Sequence, residues 1–268
     1  MQKAASLIFV IEDVKGFERG DEVVWQVEPW GKIGIVIPDL MHNDHAKMNF
    51  LNKEPQSTVG HSTYERIKHE IIFGKLAPGT KLKLEGLKTA YSASVSTLRE
   101  ALNRLASDGF VSAEEQRGFF VTPVSKDDLS EISNLRILLE CHALRESVEN
   151  GDTDWEGDLV AAHHKLHLME RRMQSGDETE KELWKRYDWE FHLALIRACN
   201  SKNMLELHAV LFWKYLRYQM LVLTYRGDEA AQEHKDIFDA ALARDSEAAA
   251  RRLEEHITNG LVHTLDAM

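Results

Sequence analysis

Four residues in the last third of the chain have the types and spacing of a metal site. Asp188 and His192 are four positions apart, so both side chains fall on one face of a helix. His234 and His256 follow, 22 positions from each other. One carboxylate and three imidazoles suit a divalent ion, with zinc as the first candidate and nickel or manganese as alternatives. Such a donor set leaves coordination positions open for water or an anionic ligand.

Spacing alone does not single out these four residues, because the chain contains 13 histidines. His163 and His167 are also four positions apart, but no carboxylate or distant histidine matches them, and a solvated helix face is predicted for both. His208 and His263 are predicted to lie on the surface of a helical bundle.

Length and composition indicate a globular chain of two domains. The 268 residues are 43% hydrophobic, which allows a full core. No apolar run approaches the roughly 18 residues that span a bilayer. The apolar stretch near Met1 is followed at once by Glu12 and Asp13 without a cleavage site, which argues against a signal peptide. The two cysteines, Cys141 and Cys199, form no disulfide framework and are predicted to be buried. We expect a cytoplasmic protein without a membrane partner.

The charge is unevenly distributed along the sequence. The net charge is −11, yet residues 61–123 contain nine Lys or Arg against seven Asp or Glu. That segment therefore carries +2 and the rest of the chain −13. An acidic body attached to a mildly basic segment is compatible with nucleic-acid binding.

The first 58 residues form an N-terminal extension whose status the sequence leaves open. Residues 23–27 and 33–37 have the composition of short strands separated by a turn. After residue 41 the sequence becomes polar and loses its periodicity. A start codon read too far upstream, with Met48 as the natural beginning, stays an alternative.

Residues 59–124 have the pattern of a winged helix-turn-helix. Apolar residues recur at helical spacing from Tyr64 to Ile72, and helices are also predicted over residues 84–91 and 94–107. Residues 109–112 and 118–121 are predicted to form a hairpin with Gly118 at its tip. In this motif the third helix enters the major groove of DNA and the wing contacts the backbone or minor groove. The predicted DNA contacts are Ser94, Ser96, Thr97, Arg99, Arg117 and Gly118. For Ser94 and Ser96, simple capping of the helix stays an alternative.

Residues 125–268 contain almost only helix signals. A capping motif at Ser125 and Asp128 starts the first helix. Helices are predicted over residues 127–150, 155–175, 178–198, 202–224, 228–243 and 246–266. We therefore predict a mainly α fold, in which a winged helix-turn-helix is followed by an all-helical antiparallel bundle.

Residues 59–124, called the reading domain below, resemble the DNA-binding domain of the GntR family of transcriptional regulators. The similarity is carried by residues 93–102 (Ala-Ser-Val-Ser-Thr-Leu-Arg-Glu-Ala-Leu), by the turn at residues 76–79, and by residues 117–121. Two departures stand out, because Val95 replaces the family's usual arginine and Thr97 its usual proline. The resemblance thus implies an operator that differs from the commonest family site.

The helical half resembles the FCD effector domain of the FadR subfamily. The similarity rests on Arg136 and Glu140 in the first helix, the Asp188 and His192 pair, Asn203, and the positions of His234 and His256. It implies that Asp188, His192, His234 and His256 are metal ligands. Residues 84–102 and 155–170 also resemble the glutarate-responsive branch of this subfamily, which implies a short dicarboxylate effector.

Arg136 and Arg217 are the predicted anchors for the anionic effector, since a bundle-facing arginine can bind a carboxylate through two hydrogen bonds. An ion pair inside the bundle, for Arg136 with Glu140, stays an alternative. We therefore predict a homodimeric transcriptional repressor that binds double-stranded DNA and responds to a small carboxylate at a metal site. A metallohydrolase is the alternative. The sequence has no His-Glu-x-x-His motif and no placed general base apart from Glu190 and Glu233, so no enzyme activity is expected.

Overall fold

The computed structural model describes residues 59–175, 181–222 and 226–268. The two strands predicted within residues 23–37, and the rest of the predicted extension, lie outside the described residues. In the described part, the first helices and strands are α1 (Val59–Ile72), β1 (Lys81–Leu82), α2 (Leu84–Tyr91), α3 (Val95–Ser107), β2 (Val111–Glu114) and β3 (Gly118–Val121). Six long helices follow: α4 (Lys126–Asn150), α5 (Thr153–Gln174), α6 (Lys181–Ile196), α7 (Lys202–Val222), α8 (Asp228–Leu242) and α9 (Ser246–Ala267). The predicted mainly α class is confirmed.

The small sheet forms a wing after α3. Its strands run antiparallel in the order β1-β3-β2, with Leu82 opposite Phe119 and Val111 opposite Val121. Strand β2 begins at Val111 instead of residue 109, because Gly109 adopts a φ of +80° in the turn that leaves α3. Strand β1 was not predicted, since two residues are too few to produce a periodic pattern.

The reading domain shares its core with two helices of the bundle. Ile67 of α1 and Leu98 of α3 are fully buried, and the same apolar cluster includes Trp189 of α6 together with Phe212 and Leu216 of α7. Apolar burial of this kind is the main force that holds packed elements together. The predicted boundary near residue 124 is thus crossed by a continuous apolar core.

Three bundle helices, α4, α5 and α9, begin at a capping side chain. The hydroxyl of Ser125 accepts a hydrogen bond from the Asp128 amide, and Asp152 and Asp245 accept equivalent bonds at the starts of α5 and α9. Cys141 and Cys199 are free and buried, as predicted. In the part of the chain that the structure describes, no helix is long and apolar enough to cross a membrane.

Candidate metal centre and DNA-reading surface

Three helices of the bundle bring the predicted metal ligands together. Asp188 and His192 lie one turn apart on α6, His234 lies on α8 and His256 on α9. All four side chains are buried. Helix α8 packs against α9 over much of its length, so His234 and His256 meet although they are distant in sequence.

The three histidines form a compact cluster. Each offers one ring nitrogen, and these nitrogens all lie within 4.8 Å of one another. The rings of His234 and His256 have centroids 4.5 Å apart, and those of His192 and His256 are 5.3 Å apart. In the described residues, this is the one group of three or more His, Cys, Asp or Glu side chains with that geometry.

Asp188 adjoins the cluster through His234. Its Oδ1 lies 3.3 Å from His234 Nε2, an ion-pair distance without hydrogen-bond alignment. Two neighbouring ligands, each about 2.1 Å from one ion, stand roughly 3.0 to 3.4 Å apart. The separation, the burial and the imidazole-carboxylate chemistry of the donors therefore all fit a divalent ion.

Each histidine has a carboxylate on its other ring nitrogen. The Nδ1 atoms of His192, His234 and His256 lie 2.9 Å, 2.6 Å and 2.7 Å from an oxygen of Glu140, Glu170 and Glu233, respectively. This arrangement places a glutamate at Nδ1 of every ring, so Nε2 is the nitrogen left for an ion. Arg226 Nη2 also lies 3.2 Å from His256 Nδ1. The sequence analysis did not identify any of these three contacts with glutamates. Glu140 and Glu170 are far in sequence from their histidines, and Glu233 is adjacent to His234 but contacts His256.

The electrostatics of the cluster favour a positive charge at its centre. Burial alone lowers the pKa of His234, but its interactions with the carboxylates of Asp188 and Glu170 outweigh burial and raise that pKa to about 9. Burial and the charge of His234 lower the pKa of His256 to about 3. Burial opposes ionisation of Asp188, yet Lys185 and His234 hold the pKa of its carboxyl well below the usual range. These shifts place one positive charge, on His234, between the carboxylates of Asp188 and Glu170.

A small cavity of about 40 Å³ opens beside the histidines. Three cationic side chains line this cavity, and each of them is paired with a carboxylate of the site. Arg136 Nε donates to Glu140 over 2.6 Å, Lys185 Nζ lies 3.5 Å from Asp188, and Arg226 Nη2 lies 2.7 Å from Glu233. The alternative ion pair of Arg136 with Glu140 is therefore observed, and Arg136 still lines the cavity. Lys185 and Arg226 were missed, since one lies between aromatic residues of α6 and the other in a segment that reads as a turn.

Arg217 lies elsewhere. Its Nη2 donates to the backbone carbonyl of Thr122, in the segment that joins the wing to α4. Neighbouring Tyr218 contacts Asp128 and accepts a hydrogen bond from the Ser125 amide over 3.3 Å. The two residues hold the segment between the reading domain and the bundle, and Arg217 is not among the residues that line the cavity.

Of the two histidines predicted to lie on the bundle surface, one is fully buried and the other is half-buried. His208 is fully buried, with Nε2 3.5 Å from Glu140 Oε1, and His263 is half-buried and lines the cavity. The surface prediction for His208 was wrong because helix α7 is covered on more than one face, which short-range periodicity cannot reveal. His163 also departs from the predicted solvated face, since its ring stacks on Phe238 with centroids 4.2 Å apart.

The start of α3 presents the predicted DNA-contacting residues. Ser94 caps the helix by accepting from the Thr97 amide, and its hydroxyl lies 2.8 Å from those of Ser96 and Thr97. Arg99 is exposed on the next turn. On the wing, exposed Arg117 pairs with Glu114, and Gly118 begins β3 with a φ of +96°. The capping alternative for Ser94 is thus observed, and it leaves the hydroxyl cluster at the helix start exposed.

Two family models match the chain. The model for bacterial regulatory proteins of the gntR family matches residues 60–121, and the model of the FCD domain matches residues 131–259. Together they cover the winged helix-turn-helix and most of the bundle.

Curated relatives extend the similarity over both regions. The chain is 37% identical over 202 residues to the uncharacterized HTH-type transcriptional regulator BphR of Paraburkholderia xenovorans (strain LB400), which covers 75% of this chain and 82% of BphR. It is 29% identical to the HTH-type transcriptional repressor GlaR of Escherichia coli (strain K12), over 72% of this chain and 90% of GlaR. Among solved structures, E. coli McbR/YncC has the same fold, with a TM-score of 0.65 at 23% identity over 78% of this chain and 98% of that one.

Proposed function

The chain belongs to the GntR family of DNA-binding transcriptional regulators, in the FadR-like subfamily with an FCD domain, and from this premise we propose how its DNA binding is controlled. A small carboxylate binds at a divalent metal ion in the helical bundle and changes the affinity of the reading domain for its operator. Family membership makes the protein a regulator and not an enzyme, and no feature of the site favours the metallohydrolase alternative.

The observation that carries the proposal is the convergence of His192, His234 and His256 in one buried cluster, with the carboxylate of Asp188 3.3 Å from His234. We assign the metal to these four side chains, with zinc as the first candidate and nickel or manganese as alternatives. A bound divalent ion supplies positive charge and open coordination positions that a carboxylate oxygen can occupy.

The effector is a short carboxylic acid, and we favour a dicarboxylate. Arg136, Lys185 and Arg226 line the cavity, so a second acid group would meet a cation. Lys185 is the cation best placed to bind the second acid group of the effector. Its amine lies 3.5 Å from Asp188, whereas Arg136 and Arg226 each have a shorter contact with a glutamate. The position of Arg217 argues against its role as an anchor.

Operator recognition is assigned to residues 59–124. Helix α3 enters the major groove with Ser94, Ser96, Thr97 and Arg99, while Arg117 and Gly118 of the wing contact the backbone or the minor groove. The exposed hydroxyls and the arginine at the start of α3 support this assignment. Residues 125–268 form the effector-binding and metal-binding part.

Helix α6 provides a route from the site to the reading domain. One stripe of α6 carries Asp188 and His192, and a second carries side chains that face α1 and α7. On the second stripe, Glu182 lies 3.4 Å from His69 of α1, and Trp189 stacks on Trp213 of α7. Lys68 of α1 in turn lies 5.4 Å from the Trp213 ring centroid. A shift of α6 on effector binding is thereby transmitted to the reading domain, and the DNA is released.

We assign the repressor a homodimeric state with α4 and α7 at the interface. Leu135 and Leu138 of α4 and Leu207 and Val210 of α7 are large apolar side chains left exposed, with Leu138 71% exposed. The two helices pack against each other, so these side chains lie on neighbouring elements. A two-fold dimer would set two reading domains on a pseudo-palindromic operator.

Elemental analysis of the purified full chain tests the metal centre. The proposal requires about one divalent ion per chain, retained through dialysis and lost in His192→Ala and His256→Ala. Exposed His142→Ala on α4 is the matched control and should keep the ion. A wild-type chain without a divalent ion after growth in metal-supplemented medium would contradict the assignment.

A further inference from the structure

Every side chain of the proposed metal centre has an outer partner of complementary chemistry. Glu140 on α4, Glu170 on α5 and Glu233 on α8 each contact the Nδ1 atom of one histidine. The carboxylate of Asp188 instead has an amine, Lys185 Nζ, 3.5 Å from Oδ2. Each histidine ring of the proposed centre thus contacts a glutamate, and the Asp188 carboxylate contacts the ammonium group of Lys185.

We propose that Glu140, Glu170 and Glu233 are positioning residues that fix Nε2 as the binding atom of all three histidines. A neutral imidazole that donates its Nδ1 hydrogen to a carboxylate keeps its lone pair on Nε2, and the bond also fixes the ring orientation. The inference rests on the metal centre proposed above and extends it to residues that do not touch the ion.

The burial of these glutamates indicates that their pairing with the histidines has a role. Glu140 and Glu170 are almost fully buried, and a carboxylate leaves water only at a large energetic cost unless it is paired. A bundle stabilised by apolar packing alone would not place three carboxylates behind three neighbouring rings. The repeated pairing therefore indicates a shared role for the three glutamates in orienting the rings.

Glu170 is the best position for a test. Glu140 also holds Arg136, and Glu233 also holds Arg226, so replacement of either would leave a cation of the cavity without that partner. The Glu170 side chain approaches His234 Nδ1 within 2.6 Å. Its effect on the metal can therefore be measured without disturbing either of those arginine pairs.

Metal affinity of the full chain, measured by competition with a chromophoric zinc chelator, provides the readout. Glu170→Ala should weaken zinc binding about 10- to 100-fold. Glu170→Gln should weaken it less, because the amide oxygen still accepts the hydrogen bond but carries no charge. Visible absorption of the Co²⁺-loaded chain should change in Glu170→Ala and stay close to wild type in Glu170→Gln.

Glu255→Gln is the matched control, since Glu255 directly precedes His256 but is exposed and paired with Arg252. It should bind zinc as the wild type does. Thermal unfolding of each metal-free variant identifies any that fail to fold, and if Glu170→Ala does, the isosteric Glu170→Gln decides. Wild-type zinc affinity in the folded Glu170 variants, or an unchanged Co²⁺ spectrum in folded Glu170→Ala, would overturn the inference alone. A wild-type chain that takes up no ion would contradict the metal centre itself.

Discussion

The indole ring of Trp189 stacks on that of Trp213, with centroids 6.0 Å apart and an angle of 23° between the planes. Trp189 directly follows Asp188 on α6, and both indoles adjoin the apolar core of the reading domain. A single helix thus carries proposed metal ligands on one stripe and contacts to the reading domain on another. This relationship underlies the proposed coupling between effector and operator.

Replacement of Trp189 should weaken that coupling. In Trp189→Phe we expect the metal content to stay at the wild-type level, while the effector-induced loss of operator affinity falls by about 0.5 to 2 kcal/mol. Fluorescence anisotropy of labelled operator, with and without effector, measures the change. Trp155→Phe is the control, because Trp155 is buried in the bundle and bonds the Ala194 carbonyl. An unaltered effector response in folded Trp189→Phe would exclude this route.

Lys185 should govern effector affinity. Lys185→Met removes a buried cation from the cavity, and loss of a hydrogen bond to a charged group costs about 1.5 to 3 kcal/mol. We therefore expect effector binding, measured by calorimetry on the metal-loaded chain, to weaken about 10-fold or more. Lys165→Met, at an exposed ion pair with Glu190, should bind effector normally. Equal affinities in the two variants would remove Lys185 from the effector site.

Arg99 should contribute directly to operator binding. Arg99→Ala should weaken binding by about 1 to 3 kcal/mol if the guanidinium reads a base. If it contacts only phosphate, all sequences should be bound more weakly and the salt slope should decrease by about 1. Arg252→Ala, at an exposed position of α9, serves as the control. Wild-type operator affinity in folded Arg99→Ala would place Arg99 outside the interface.

Charge introduced on the exposed apolar side chains of α4 and α7 should dissociate the dimer. Burying an unpaired carboxylate at an interface is costly, so Leu138→Glu and Leu207→Glu should each raise the dimer dissociation constant about 10-fold or more. Light scattering after size-exclusion chromatography reports the mass. Val160→Glu places the same charge at an exposed apolar position of α5 and should leave the dimer intact. If all three variants keep the wild-type mass, the interface lies elsewhere.

Local patterns predicted the helices well, and long-range contacts account for what was missed. Helix α2 was predicted at its observed bounds, because its apolar spacing lies within one short segment. The spacing of Asp188 and His192 likewise follows from helix geometry alone. By contrast, the contact between Glu170 and His234 joins positions 64 residues apart, which no local pattern encodes. The burial of His208 and the contact of Arg217 with the Thr122 carbonyl were not predicted for the same reason, since both depend on residues distant in sequence.

Titration of the protein–operator complex with a short dicarboxylate such as glutarate tests the central claim most directly. The titration compares the metal-loaded chain, the chelator-stripped chain and His234→Ala. The account predicts release of DNA from the loaded wild type only, while all three bind operator in the absence of acid. A 100-fold loss of operator affinity requires about 2.7 kcal/mol of coupling, within the usual allosteric range. Release of DNA from the stripped chain at the same acid concentration would contradict control through the metal centre.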